Sequence, residues 1–173
     1  MTEIVRRSQT RPIYLMLRMK PPWVFIDEIR RFVESFCACA CPDQEREAQV
    51  ALAVHELMQN AVPHSREEDV DLVLEVDPNT DKVTISVSNP CTGEQFEKLR
   101  ARITSMNAEP DALKHYLEAM RAAPSTRGGL GLPRVRFEAQ LDVAAHHDGD
   151  RVMVVAAGKL RAPRLYLEGG VRS

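Results

Sequence analysis

Apolar positions along the chain recur with two different periods, and the switch between them divides it into elements. From Pro12, "PIYLMLRM" is a short apolar run that predicts a strand, closed by Pro21-Pro22. Ile26, Ile29, Phe32, Val33 and Phe36 then follow at steps of three and four, which predicts an amphipathic helix of about four turns. Pro42-Asp43 opens the next helix, with Asp43 as its N-cap and Val50, Val54, Leu57 and Ala61 as its apolar stripe. The period then drops to two. Val70, Leu72, Leu74 and Val76 alternate with more polar neighbours, and after "DPNTD" so do Val83, Ile85 and Val87. Two half-buried strands joined as a hairpin are expected. Gly93 to Ser125 reads as helical, broken at "NAEP", with Pro110 at the start of its second helix. Few of its residues are strongly apolar, so light packing is expected. "RGGLGLPRVRFEA" is a glycine-rich loop running into a helix, and "LDVAAHHDGDRVMVVAAG" closes as a hairpin around Asp148-Gly149.

Strands and helices segregate in this order, so the expected fold class is α+β: a two-layer sandwich in which a mixed, mostly antiparallel sheet carries helices on one face. The 173 residues suit one domain. We expect it to span 12–159, between a loose N-terminal tail at 1–11 and a C-terminal tail at 160–173. With 23 basic against 25 acidic side chains, the net charge of −2 creates no field that would draw nucleic acid or an anionic membrane. No apolar run reaches the ~20 residues of a membrane span. The run after Arg6-Arg7 is too short for a signal peptide, so a cytoplasmic protein is expected. Cys37, Cys39 and Cys41 ("CACAC") match no common zinc spacing and read as small residues lining a helix end.

The densest candidate chemistry is "HELMQNAVPHS", His55 to Ser65. A zinc-protease helix needs its second histidine one turn after the first, where this chain has Gln59, and His64 falls nearly opposite His55. The "HEL" of a phosphoacceptor helix is followed here by Met58 and Gln59 instead of basic and small polar residues, and no long helical hairpin is present. Glu56 and Asn60 remain. At i and i+4 they lie about 40° apart on one helix face. An amide oxygen suits a hydrated magnesium ion, and a carboxylate can accept a proton from an attacking hydroxyl. The same spacing would also arise in a solvated polar stripe. A second motif bears on that choice. "RGGLGL", Arg127 to Leu132, lets backbone approach a phosphate, although it also suits a plain tight turn. It lacks the Gly-Lys-Ser/Thr of a P-loop and the spaced glycines of a Rossmann turn.

Taken together, "HELMQNAVPHS", the strand pair, the helical insert, "RGGLGL" and the closing hairpin resemble the GHKL ATPases over most of 12–158. The size and the early strand and helix make the chain most similar to the bacterial anti-sigma-factor serine/threonine kinases. The resemblance implies an ATP- and Mg²⁺-dependent kinase acting on a STAS-like antagonist or a sigma factor in a partner-switching pathway, and a homodimer. It places the metal ligand on Asn60 and the catalytic carboxylate on Glu56. It sets a phosphate cradle on Gly128, Gly129, Leu130 and Gly131, and a nucleotide lid on 93–127. The family's adenine motif, D-x-G-x-G, falls on "NPCTG": Asn89 stands for the aspartate, Cys91 for the first glycine, and Gly93 is kept. Asn89 offers a carbonyl oxygen without charge, so weaker or altered base binding is expected. Pro63 disturbs the last turn of the helix, and His64 is given no catalytic role. The alternative is a degenerate GHKL-fold module that binds and sequesters a regulatory protein without catalysis.

Overall fold

The computed structural model describes residues 11–20, 23–41, 43–64, 69–122 and 129–161. The expected tails, apart from Arg11, Leu160 and Arg161, lie outside them, as do Arg127 and Gly128. Five strands form one sheet: β1 (Ile13–Met19), β2 (Val70–Asp77), β3 (Lys82–Pro90), β4 (Asp142–Asp148) and β5 (Arg151–Lys159). Their order is β1-β2-β3-β5-β4. The order of elements predicted a mixed, mostly antiparallel sheet; here all four pairings between described strands are antiparallel.

Alternation decides which face is covered. Val70, Leu72, Leu74 and Val76 on β2, Val83, Ile85 and Val87 on β3, and Val152, Val154 and Ala156 on β5 all point inward and are buried. Among the described residues five α-helices pair with that face or with one another: α1 (Ile26–Ala40), α2 (Gln44–Ala61), α3 (Gly93–Ala108), α4 (Ala112–Ala122) and α5 (Gly131–Phe137). The two-layer α+β architecture is the one expected from the order of elements.

The α2 helix is the spine of the second layer. Asp43 sits in extended conformation and accepts a hydrogen bond from Arg46 N at 2.8 Å, capping the helix as the sequence indicates. The expected stripe of Val50, Val54, Leu57 and Ala61 is buried, but so are Ala51, Ala53, Glu56 and Met58. With the sheet beneath and α1 and α5 alongside, α2 is wrapped on several sides. Arg46 is buried too. Its guanidinium donates to Gln49 Oε1 and to the Ala139 carbonyl, both at 2.7 Å, and to the Lys159 carbonyl. One side chain thus ties the start of α2 to the end of α5 and the end of β5. Burial pushes the Arg46 guanidinium down from its ordinary value.

The insert is helical, as expected. Thr92 and Gln95 form a capping box at the start of α3. Arg136 of α5 donates to the Met106 and Glu109 carbonyls, at 2.5 and 2.6 Å, and so satisfies the far end of α3. Pro110 does not open α4. Asp111 does, accepting from Lys114 N at 3.0 Å, because its carboxylate can hold an orphan N–H and proline cannot. Light packing holds: α3 buries Ile103 and Met106, and α4 buries none of its residues. The four cysteines are free, with Cys37 buried and Cys39 exposed. Among the described residues no helix is long and apolar enough to cross a membrane.

Candidate functional site

Glu56 and Asn60 lie on the face of α2 turned toward α5, and Glu56 is 6% exposed. That burial removes the solvated-stripe reading for Glu56. The Asn60 amide nitrogen donates to the Glu56 backbone carbonyl at 2.9 Å, which leaves its side-chain oxygen for a ligand. Gly131 is packed against both residues. A Cβ on it would lie 2.9 Å from Glu56 Oε2 and 3.3 Å from Asn60 Nδ2. The need for glycine at 131 is therefore a close helix–helix approach. Gly129 is different: its φ of +110° is a backbone conformation that L side chains rarely adopt. Leu130 lies between them as the N-cap of α5.

A cavity of about 240 Å³ opens beside Asn60. Leu57, Val87, Val154 and Leu132 give it apolar walls, while Asn60, Asn89 and Gln95 supply polar groups, with Lys98 and Arg102 of α3 at its border. This mixture suits a small ligand with an apolar body and a polar or anionic end. Asn89 is 4% exposed, and its amide nitrogen donates to the Pro90 carbonyl at 2.8 Å. Cys91 lines the same cavity, and burial pushes its thiol up from the ordinary value.

The sequence-derived candidates are thus partly gathered. Glu56, Asn60 and Gly131 are in contact range, and Asn60 and Asn89 share a cavity. Gly93 starts α3 facing open space, so it stands apart from that cavity although Cys91 and Gln95 border it. Gly129 borders a separate cavity of about 210 Å³ between α3, α4 and α5. Gly128 and the side chain of His64 lie outside the described residues. His55 faces α1, with Gln59 at 2.8 Å and Asp27 at 3.7 Å, away from the glycine turn.

Arg134, Glu138 and Tyr116 went unrecognised in the sequence. Arg134 Nη1 donates to Glu56 Oε1. Its Nε and Nη2 donate to the two Glu138 oxygens at 3.1 and 3.3 Å. The Tyr116 hydroxyl on α4 donates to Glu138 Oε1 at 2.9 Å. The Arg134 bond holds the Glu138 carboxyl below the usual carboxylate range, and the Glu138 bond pushes the Arg134 guanidinium up. The available signal was the i,i+4 pairing of Arg134 with Glu138, but such pairs mark solvated helix faces far more often than sites.

Among the described residues no three His, Cys, Asp or Glu side chains gather as a metal site. An ion here would rest on the Asn60 oxygen and on oxygens of the ligand, which is how magnesium is commonly held. Fold and site together define an α+β nucleotide-binding type of domain with an inserted helical pair. Comparison with known families bears this out: residues 25–136, more than half of the chain, match the histidine kinase-like ATPase domain, and the chain belongs to that family. No curated protein matches it by sequence. Among solved structures it is similar to the crystal structure of the SiaB–SiaC complex from Pseudomonas aeruginosa, at a TM-score of 0.68 and 18% identity, over 83% of this chain and 88% of that one. At that identity the likeness shows a shared fold.

Proposed function

We propose that this chain is a Mg²⁺-ATP-binding regulatory protein that phosphorylates a serine or threonine of a partner protein. One observation carries the proposal: Gly131, distant in sequence from the Glu56–Asn60 pair, is packed within a few ångströms of both. Asn60 would hold the magnesium through its side-chain oxygen. Gly129, Leu130 and Gly131 would let backbone approach the phosphates, with Gly128 before them. Asn89 would meet the base with its oxygen, because its nitrogen is committed to Pro90. Glu56 would accept the proton of the partner's hydroxyl. The bound ion would supply charge neutralisation on the phosphates, which is the larger need in phosphoryl transfer.

The nucleotide-binding unit would span 12–159, with 93–127 as its lid. The solved relative is a complex of two proteins, which supports a protein partner here. A STAS-like antagonist in a partner-switching pathway is our choice of partner. A second reading, a module that sequesters its partner without catalysis, is favoured by the engagement of Glu56 by Arg134.

Titration calorimetry with Mg²⁺-ATP tests the nucleotide site. Wild type is expected to bind, and Asn60→Ala to lose most of the magnesium-dependent heat. No heat from wild type would remove the ATP reading. If ATP binds, transfer of labelled phosphate to a STAS-domain protein, abolished by Glu56→Ala, separates the kinase from the sequestering module.

A further inference from the structure

The three cations of α3 are not alike. Lys98 pairs with Glu94 at 2.6 Å and Arg100 with Glu97 at 2.5 Å, each one turn away on the same helix. Arg102 has Lys98, Leu99, Ser105 and Met106 at those spacings, and so no carboxylate within a turn. Among the described residues it makes no hydrogen bond or ion pair. It borders the cavity of about 210 Å³ between α3, α4 and α5. Ser105 lines the same cavity one turn along α3, and His115 lines it from α4. Met106 and Leu132 give it apolar walls, and Gly129 borders it with open space where a side chain would be. None of the described residues that line it is acidic.

We propose that this cavity is an oxyanion site for a phosphate group, with Arg102, Ser105 and His115 as its donors. Arg102 and Leu132 also line the cavity beside Asn60, so the two cavities meet at Arg102. The phosphate can therefore arrive free, or as the phosphate end of a nucleotide whose base occupies the neighbouring cavity. The second source rests on the ATP reading above; the oxyanion site does not.

The chemistry of the donor set selects the ligand. Each polar side chain on the cavity can donate a hydrogen bond, and none carries negative charge. The Arg102 guanidinium supplies charge-assisted bonds, which are shorter and stronger than neutral ones. The Ser105 hydroxyl has no partner among the described residues. The Nδ1 atom of His115 is buried without a partner among them, which is uncommon for a polar atom in a folded chain. With Nδ1 shut away, Nε2 is the ring nitrogen that can donate to a ligand. Donors on two helices approach from different directions. A tetrahedral phosphate has oxygens for all three, whereas a planar carboxylate would satisfy the guanidinium and leave the others short.

The test is a ¹H–¹⁵N NMR titration of the full chain with potassium phosphate, against potassium chloride at matched ionic strength. In wild type, phosphate and not chloride is expected to shift the Gly129 amide and the Arg102 Nε–H saturably. Arg102→Gln is expected to weaken binding roughly tenfold, and His115→Phe by less. Lys114→Gln removes a cation of α4 that lies outside the cavity, and leaves binding unchanged. Amide resonances that stay in place elsewhere show that each variant keeps its fold. No saturable shift in wild type overturns the proposal. So does Arg102→Gln or His115→Phe binding as tightly as wild type, or Lys114→Gln weakening binding as much as Arg102→Gln. Calorimetry with ATP and with adenosine then reads the source. If Arg102→Gln weakens ATP and not adenosine, the site serves the phosphates of a nucleotide; if phosphate binds and ATP affinity is unchanged in that variant, it serves free phosphate. A wild type that binds no nucleotide removes the ATP reading alone, and the phosphate titration still decides this one.

Discussion

Gly131→Ala is a sharp test of how closely α5 lies against α2. On an isolated helix the change is favourable, by roughly 0.5–1 kcal/mol, because alanine loses less backbone entropy on folding. Here the new Cβ would sit 2.9 Å from Glu56 Oε2, 3.3 Å from Asn60 Nδ2 and 3.7 Å from Glu56 Cβ. The first distance is shorter than carbon and oxygen tolerate, so something must move. The Glu56 carboxylate cannot simply swing away, since Arg134 holds its other oxygen. Overpacking of this kind typically costs about 1–3 kcal/mol. Subtracting the helix-propensity gain leaves a net loss of roughly 0–2.5 kcal/mol. Urea unfolding monitored by circular dichroism gives the number, and an unchanged slope against denaturant shows that two-state folding survives. A variant more stable than wild type would refute the packing argument. It would mean that the glycine serves only the backbone of the loop.

Two other perturbations test the frame around the site. Arg46→Met would leave the Ala139 and Lys159 carbonyls and the Gln49 amide oxygen short of a donor; at about 1–3 kcal/mol for each buried group left unsatisfied, a loss of at least about 3 kcal/mol is expected in urea unfolding, and a loss below about 1 kcal/mol would refute the assignment. Glu138 carries a signed pH dependence. Its folded value lies below the ordinary one, so its contribution is fully present above the unfolded value and is lost as pH falls through the folded value. Being partly exposed, it is worth about 0.2–1 kcal/mol. The stability gap between wild type and Glu138→Gln should therefore be constant near neutrality and close in acid below the ordinary carboxylate range; a gap that widened with acid would contradict the sign.

The elements were written plainly in the chain where side-chain period decides structure. The α1 helix, the Asp43 cap, the alternation of β2 and β3 and the turn at Asp148-Gly149 all follow from local rules, although the α1 stripe turns Phe32 outward and buries Cys37 instead. Glu56, Asn60 and the glycine turn were legible as motifs. What period cannot encode is which strand neighbours which: the alternation in β5 says that one face is buried and is silent about its place between β3 and β4. Buried polar groups were hidden for a similar reason. Arg46 and Arg134 look like ordinary surface cations until the carbonyls and carboxylates that meet them are brought in from distant segments. Gly131 read as phosphate-loop chemistry or a plain tight turn, and its tight fit against Glu56 appears only once two helices are laid side by side.

The placement of β5 beside β3 has a kinetic consequence. Arg151 and Ser88 touch across that seam although they are 63 positions apart in the chain. The β2–β3 hairpin and the α1–α2 pair can form from near neighbours, but the seam must wait for a long loop to close, which is entropically slow. Asn89 sits in the seam, paired with Val152. The cavity wall that holds it is therefore expected to be completed late, after the helix carrying Glu56 and Asn60 has found its partner. A nascent chain would present the α2 carboxylate and amide well before it had a pocket to serve, and ligand added during refolding should have nothing to grip until the last strands are in place.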